Sequence, residues 1–190
     1  MTTQTETSVH EFRAQDDQYL HLRRVAQDDT ALLADLLLRL SDQTRYFRYF
    51  TARTFSLNAA WGEAERITGG QAGGQIAVMA QAPRSGGDEA IGVAELVPDA
   101  RQPALGHVAV AVRDDRQRQG IGTILVRRLL DLAQESTIAT LRADLLNENR
   151  AARRLLDKLG LPYESHTRHA ETRVLTRPAV PAENIAGSTG

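Results

Sequence analysis

Val108 to Gln134 reads VAVAVRDDRQRQGIGTILVRRLLDLAQ. Its alternating valines and alanines are the start of a strand. The chain then turns through charged residues and Gln117-Arg118-Gln119-Gly120-Ile121-Gly122, and continues as an amphipathic helix. Glycines one residue apart let the backbone approach a ligand with no Cβ in the way. A helix starting here aims its free N–H groups and the positive end of its dipole at the turn. Such a place suits a phosphate or pyrophosphate.

A dinucleotide fold asks for G-x-G-x-x-G, and Leu125 stands where the third glycine belongs. The phosphate-loop signature G-x-x-x-x-G-K-[ST] is absent as well. What remains is Q-x-x-G-x-G between a strand and a helix. It resembles the pyrophosphate loop, [RQ]-x-x-G-x-[GA], of the GNAT superfamily of acyl-CoA-dependent N-acetyltransferases. The resemblance implies that Gln117 opens the loop. It implies that amides of Arg118, Gln119, Gly120, Ile121, Gly122 and Thr123 hold the pyrophosphate of acetyl-CoA. Arg118 either adds a charge-assisted contact or is simply solvated. Main-chain groups around Val110 to Val112 would serve the thioester oxygen.

A second stretch agrees with the first. Asn149 to Leu161, NRAARRLLDKLGL, resembles the family's N-x-x-A-x-x-L-Y-x-K-x-G-F. By that resemblance Asn149 faces the pantetheine arm or its neighbourhood. Ser41 to Phe50 also resembles the early helices of bacterial protein-lysine acetyltransferases of the Pat type. There are two departures. The family's general-acid tyrosine falls at position 156, where Leu156 stands. The glutamate that Pat-like members carry early in the central strand falls at His107.

Around these motifs the chain alternates strand and helix signals. Residues 1–18 carry few large apolar groups and are expected to form a flexible N-terminal segment. Leu20 to Val25 reads as a strand. Asp28, Asp29 and Thr30 offer capping oxygens for a helix over Ala31–Leu38. Ser41 and Asp42 precede a second helix to Thr51, where Arg45 and Arg48 either reach an anion or form a solvated face beside an aromatic edge. Ser56–Thr68 reads as a third helix with Trp61 as its anchor, and Gly69–Gly74 as a flexible loop.

Gln75–Ala82, Glu89–Val97 and Leu105–Arg113 read as strands. The helix after the glycine turn places Ile121, Leu125, Leu129 and Leu132 on one stripe, with Arg127, Asp131 and Gln134 largely opposite. Thr140–Leu145 is the next strand and Asn149–Leu159 the next helix, with Gly160 at its αL stop. Tyr163–Arg168 and Glu171–Arg177 close the series, before a Pro-, Ala- and Gly-rich flexible tail over 178–190. The expected fold is α/β (α+β): a mixed sheet with helices on both faces, forming one GNAT-like domain over 19–177.

Composition sets outer limits. A chain of 190 residues suffices for one domain with a sizeable core. A net charge of −1 implies no strong pull toward nucleic acid or membrane. With no cysteine, disulfides, thiolate metal sites and an acyl-cysteine intermediate are excluded. No metal site is expected, and no apolar run approaches membrane-spanning length. The N-terminus lacks the basic-then-apolar order of a signal peptide, so a soluble, cytoplasmic protein is the expectation.

Direct acetyl transfer needs a neutral amine. A lysine amine with pKa about 10.4 is free base in only about one molecule in a few thousand at pH 7. A nearby base therefore matters. An imidazole, with unperturbed pKa about 6.5, suits that task, which makes His107 one candidate; a satisfied structural histidine is its alternative. Glu95 is the rival base, or an exposed strand-end residue. A hairpin centred on Arg101 would put Glu95 level with His107, where it would orient the ring. The expected activity is acetyl transfer from acetyl-CoA to a primary amine of a protein or a small molecule. A non-catalytic acyl-CoA-binding sensor is the alternative. The acceptor and the oligomeric state are open.

Overall fold

The computed structural model describes residues 9–14, 18–51 and 55–177. The expectations for residues 1–8 and for the tail 178–190 lie outside them. Eight strands form one sheet in the order β1-β2-β3-β4-β5-β6-β8-β7, antiparallel except for β5 beside β6. The strands are β1 (His10–Arg13), β2 (Tyr19–Arg24), β3 (Ile76–Ala82), β4 (Glu89–Pro98), β5 (Leu105–Val112), β6 (Thr140–Leu146), β7 (Tyr163–Arg168) and β8 (Glu171–Thr176). The helices are α1 (Thr30–Leu38), α2 (Asp42–Tyr49), α3 (Leu57–Gly69), α4 (Ile121–Gln134) and α5 (Arg150–Leu159).

The sheet is covered on both faces. On one, α1 and α3 pack Leu33, Leu36, Leu37, Ala60, Ala64 and Ile67 against Ala77, Met79, Val93 and Ala111. On the other, α4 packs Ile121, Leu125, Leu129 and Leu132 against Ile76, Val78, Ala94 and Leu96. β3 and the first eight residues of β4 are buried throughout, as strands in the middle of such a sandwich must be. Each of the four α4 side chains is at most 3% exposed and contributes about 2 kcal/mol through burial. The stripe read from sequence is thus the buried face, and Arg127, Asp131 and Gln134 are exposed.

Three local expectations change. Inside the segment read as flexible, His10–Arg13 forms β1 along the edge of β2. Its mostly polar residues gave no alternation, yet backbone pairing and the packing of Phe12 on the core hold it in place. Trp61 is not an anchor but 40% exposed. The inward stripe of α3 is Ala60, Ala64, Ile67 and Thr68, and Trp61 falls about 100° round the helix from Ala60. Gly69–Gly74 is not a free loop: Gly70–Gly73 is a 3₁₀ turn closed by Gly74 at φ 80°.

Candidate functional site

β5 and β6 are parallel partners for only three residues, Leu105–Thr140, Gly106–Leu141 and His107–Arg142. Beyond His107 the two strands share no pairing, although β5 runs on to Val112 and β6 to Leu146. The sheet therefore forks. Arg113 N donates to Ile91 O of β4 at 2.9 Å. Successive residues of a strand point their N–H groups to alternate sides. The amides of Val110 and Val112 thus face the open side of the fork. They are free to donate to an oxygen placed there.

A cleft of about 660 Å³ occupies this fork. One wall is the glycine turn and the start of α4, with Gln117, Arg118, Gly120, Ile121, Gly122 and Thr123. The second is α5, through Asn149, Arg150, Ala152, Arg154, Leu155 and Lys158. The third is α2, through Gln43, Thr44, Phe47 and Arg48. Val110 and Val112 form the floor.

The turn has the backbone of an anion cradle. Gly120 sits at φ 86° and Arg118, unusually for a side chain with a Cβ, at φ 64°. Nothing lies within 4 Å of where a Cβ on Gly120 would stand, so that face is open. α4 has no side-chain N-cap, and the amides of Ile121 and Gly122 precede its first intrahelical bond. The Thr123 amide is different: it donates to Gly120 O at 3.0 Å and is already engaged.

Electrostatics favour an anion as well. Arg150, Arg154 and Lys158 recur every fourth residue along α5 and line the cleft beside Arg118. The resemblance to the family motif carried no reading of these cations. Their four-residue spacing was the available signal. Asn149 lines the cleft, and its Oδ1 accepts from Ala152 N at 3.0 Å, capping α5. Gln119 does not line the cleft, and its Oε1 is buried with no hydrogen-bond partner among the described residues.

Leu155, not Leu156, faces the cleft. Leu156 lines a separate apolar cavity of about 40 Å³ with Val108, Leu130, Leu141 and Tyr163. The residue at the family's tyrosine position thus packs between α5 and the sheet.

The two candidate bases do not meet. Val97 pairs with His107 and Glu95 with Ala109, so Glu95 and His107 share a face of the sheet but sit two residues apart in register. His107 Nε2 instead lies 2.9 Å from Asp99 Oδ2. Asp99 Oδ1 accepts from the amides of Arg101 and Gln102 at 2.8 and 3.0 Å. The imidazole and these two amides lower the Asp99 carboxyl to about 2.

Glu95 is 3% exposed and ion-paired with Arg48 and Arg66. Gln75 Nε2 adds a donor at 3.0 Å. Arg48 was read from sequence as reaching an anion or as part of a solvated face; its anion is Glu95. The set continues outward to Glu63, which receives two hydrogen bonds from Arg66. Burial pushes the Glu63 carboxyl up, but Arg66 and Arg48 leave it below its ordinary value. Neither His107 nor Glu95 lines the cleft itself: Arg48 stands between Glu95 and the cavity, and His107 marks the apex of the fork.

The cleft fits coenzyme A. Free amides at a helix start, left-handed turn residues and a row of cations suit its diphosphate. The apolar Val110, Val112 and Leu155 suit its pantetheine arm. Among the described residues no cluster of His, Asp or Glu is placed to hold a metal ion. No helix among them is long and apolar enough to cross a membrane.

Comparison with known proteins agrees with this geometry. The fold is similar to the GNAT domain of S. lividans PAT, with TM-score 0.74 and 20% identity over 89% of this chain and 96% of that one. It is similar to a ribosomal-protein-S5-alanine acetyltransferase from Vibrio fischeri, with TM-score 0.67 and 16% identity over 89% and 94% of the two chains. It also resembles yncA, a putative acetyltransferase from Salmonella typhimurium solved with acetyl-CoA, with TM-score 0.62 and 16% identity over 90% and 99%. No curated protein sequence matches the chain. A family model described as an acetyltransferase (GNAT) domain matches residues 19–162, and with the forked sheet and its glycine turn this establishes that the chain belongs to the GNAT acetyltransferase family.

Proposed function

We propose that the protein moves an acetyl group from acetyl-CoA to a primary amine by direct attack. The observation that carries this reading is the fork: Val110 and Val112 amides face a cleft that the Gly120–Gly122 turn closes. The structural neighbour that carries acetyl-CoA supports the choice of acyl donor. The acceptor is a protein lysine, a protein N-terminus or a small amine. The neighbour that acetylates a ribosomal-protein alanine makes a protein amine the first acceptor to try.

Bound acetyl-CoA supplies a thioester whose carbonyl carbon takes the amine nitrogen. The Val110 and Val112 amides then donate to the oxygen as negative charge builds on it. Amides of Arg118, Gly120, Ile121 and Gly122, with Arg150, Arg154 and Lys158, would hold the diphosphate. Arg118, Gln117, Gln119 and Thr123 shape the loop, and Asn149 fixes the start of α5. Once the C–N bond forms, the C–S bond breaks and CoA leaves as a thiolate; its modest basicity lessens the need for a general acid, so Leu156 is tolerated.

The base is assigned to His107. Its Nε2 faces Asp99, so a ring that donates there keeps Nδ1 as the acceptor. Because His107 lies outside the cleft lining, the amine proton would travel to Nδ1 through solvent. Glu95 is less suited, because Arg48, Arg66 and Gln75 already occupy its oxygens. It holds Arg48 against the sheet instead.

Thiol release from acetyl-CoA over a panel of protein and small-molecule amines tests the reading. Calorimetric binding of acetyl-CoA with no turnover on any amine would support a non-catalytic acyl-CoA sensor, the alternative that the packed Leu156 keeps open. Absence of binding heat would remove both.

A further inference from the structure

We infer that Asp114 couples the glycine turn to α2, so that acyl-CoA at the turn fixes the wall against which the acceptor docks. This inference rests on the acetyl-CoA reading above. Asp114 lies just past β5 and three residues before Gln117. Its Oδ2 accepts from Ser41 N at 2.8 Å. Its Oδ1 accepts from Ser41 Oγ at 2.7 Å and from Thr44 Oγ1 at 2.8 Å. Gln117 Nε2 in turn donates to Thr44 Oγ1 and to Val112 O, both at 3.0 Å. Two side chains of the turn segment are therefore committed to α2 and to the end of β5.

α2 depends on such ties. It is eight residues long and contains no fully buried residue. A helix this short is marginal by itself in water. Its far end is tied by Arg48 to Glu95 and by the Tyr49 ring, whose centroid is 5.2 Å from that of Phe55. Its near end is tied by Asp114 and Gln117. Between the two ties, Gln43, Thr44, Phe47 and Arg48 form a cleft wall. Burial pushes the Asp114 carboxyl up, but the Ser41 and Thr44 donors leave it below its ordinary value, so it is ionised and accepting at neutral pH. A ligand that immobilises the turn also immobilises the Asp114–Gln117 anchor, and with it α2.

Amide hydrogen exchange across residues 42–49, with and without acetyl-CoA, tests this on the full chain. In the unaltered protein acetyl-CoA should slow exchange there about tenfold. Asp114→Ala should bind acetyl-CoA within about threefold of the same Kd by calorimetry, yet lose that slowing. Thr44→Val, which removes the shared hydroxyl from the α2 side, should also lose that slowing, and Asp114→Asn should restore part of it. Equal slowing in Asp114→Ala and the unaltered protein overturns the coupling while leaving acetyl-CoA binding intact. Loss of acetyl-CoA affinity by more than about tenfold in Asp114→Ala also overturns it, since the residue would then serve the turn alone. No binding heat in the unaltered protein removes the acetyl-CoA reading itself.

Discussion

Both carboxylate oxygens of Glu95 lie 2.9 Å from Nη2 of Arg66, while Arg48 closes on the same carboxylate from α2. This joins α2, α3 and β4 through one buried anion. Replacing Glu95 by Ala leaves Arg48, only 16% exposed, without its counter-charge. Breaking a buried pair from one side costs about 3–5 kcal/mol, and the 42% exposure of Arg66 places this case near about 3. Thermal unfolding should show a midpoint lower by about 9 °C. Removing Arg48 as well, as Glu95→Ala/Arg48→Met, should recover at least about 1 kcal/mol, because the orphaned charge goes with it.

Gly120 and Gly62 separate backbone strain from binding. Neither has an atom within 4 Å of where a Cβ would stand. Gly120 is left-handed, at φ 86°, whereas Gly62 lies inside α3. Gly120→Ala should cost about 1 kcal/mol and weaken acetyl-CoA about five- to tenfold in calorimetry. Gly62→Ala should stabilise the fold by about 0.5–1 kcal/mol in urea unfolding and leave acetyl-CoA affinity unchanged.

His107 and Asp99 should behave as one unit. His107→Ala should lower kcat/KM in a thiol-release assay by about 100-fold or more, the range for loss of a general base. Asp99→Ala should lower it about tenfold by releasing the ring from its orientation. The double variant should be no worse than His107→Ala alone, since the orienting contact has no purpose once the ring is gone. Additive losses would assign Asp99 to the turn and not to the ring.

Tyr49 should make the fold sensitive to alkali. Burial raises its phenol from 10.0 to about 12, against the opposing charge of Arg48. The folded value lies above the unfolded one, so the stabilisation is fully present below pH 10 and is lost as pH climbs toward 12. The loss across that window is about 2 kcal/mol. Urea unfolding of Tyr49→Phe should lack this part of the alkaline slope; an unchanged slope would place the effect elsewhere.

Much of the fold was legible because its signals are local. The α4 stripe repeats with the helix turn, so four apolar residues within fourteen positions declare the buried face. Asn149 and Gly160 bracket α5 because a cap and a left-handed stop act on backbone a few residues away. The glycine turn stood out for the same reason.

The hairpin register was not legible. Asp99 N bonds to Leu105 O, which centres the β4–β5 turn on Gln102, one residue beyond the expected centre. In an antiparallel pair that single step moves the register by two residues. His107 therefore meets Val97 and Asp99 in place of Glu95.

The sequence alone determined the family, the glycine turn and the helix that carries it, since these depend on contacts within one or two turns of chain. Only the tertiary structure decided which polar groups meet: Glu95 with Arg48 and Arg66, Asp114 with Ser41 and Thr44, Asp99 with His107. A charged side chain has no preferred partner written in its neighbours. It takes whichever opposite charge the packing of the two core faces brings within reach, and burial then makes that choice strong.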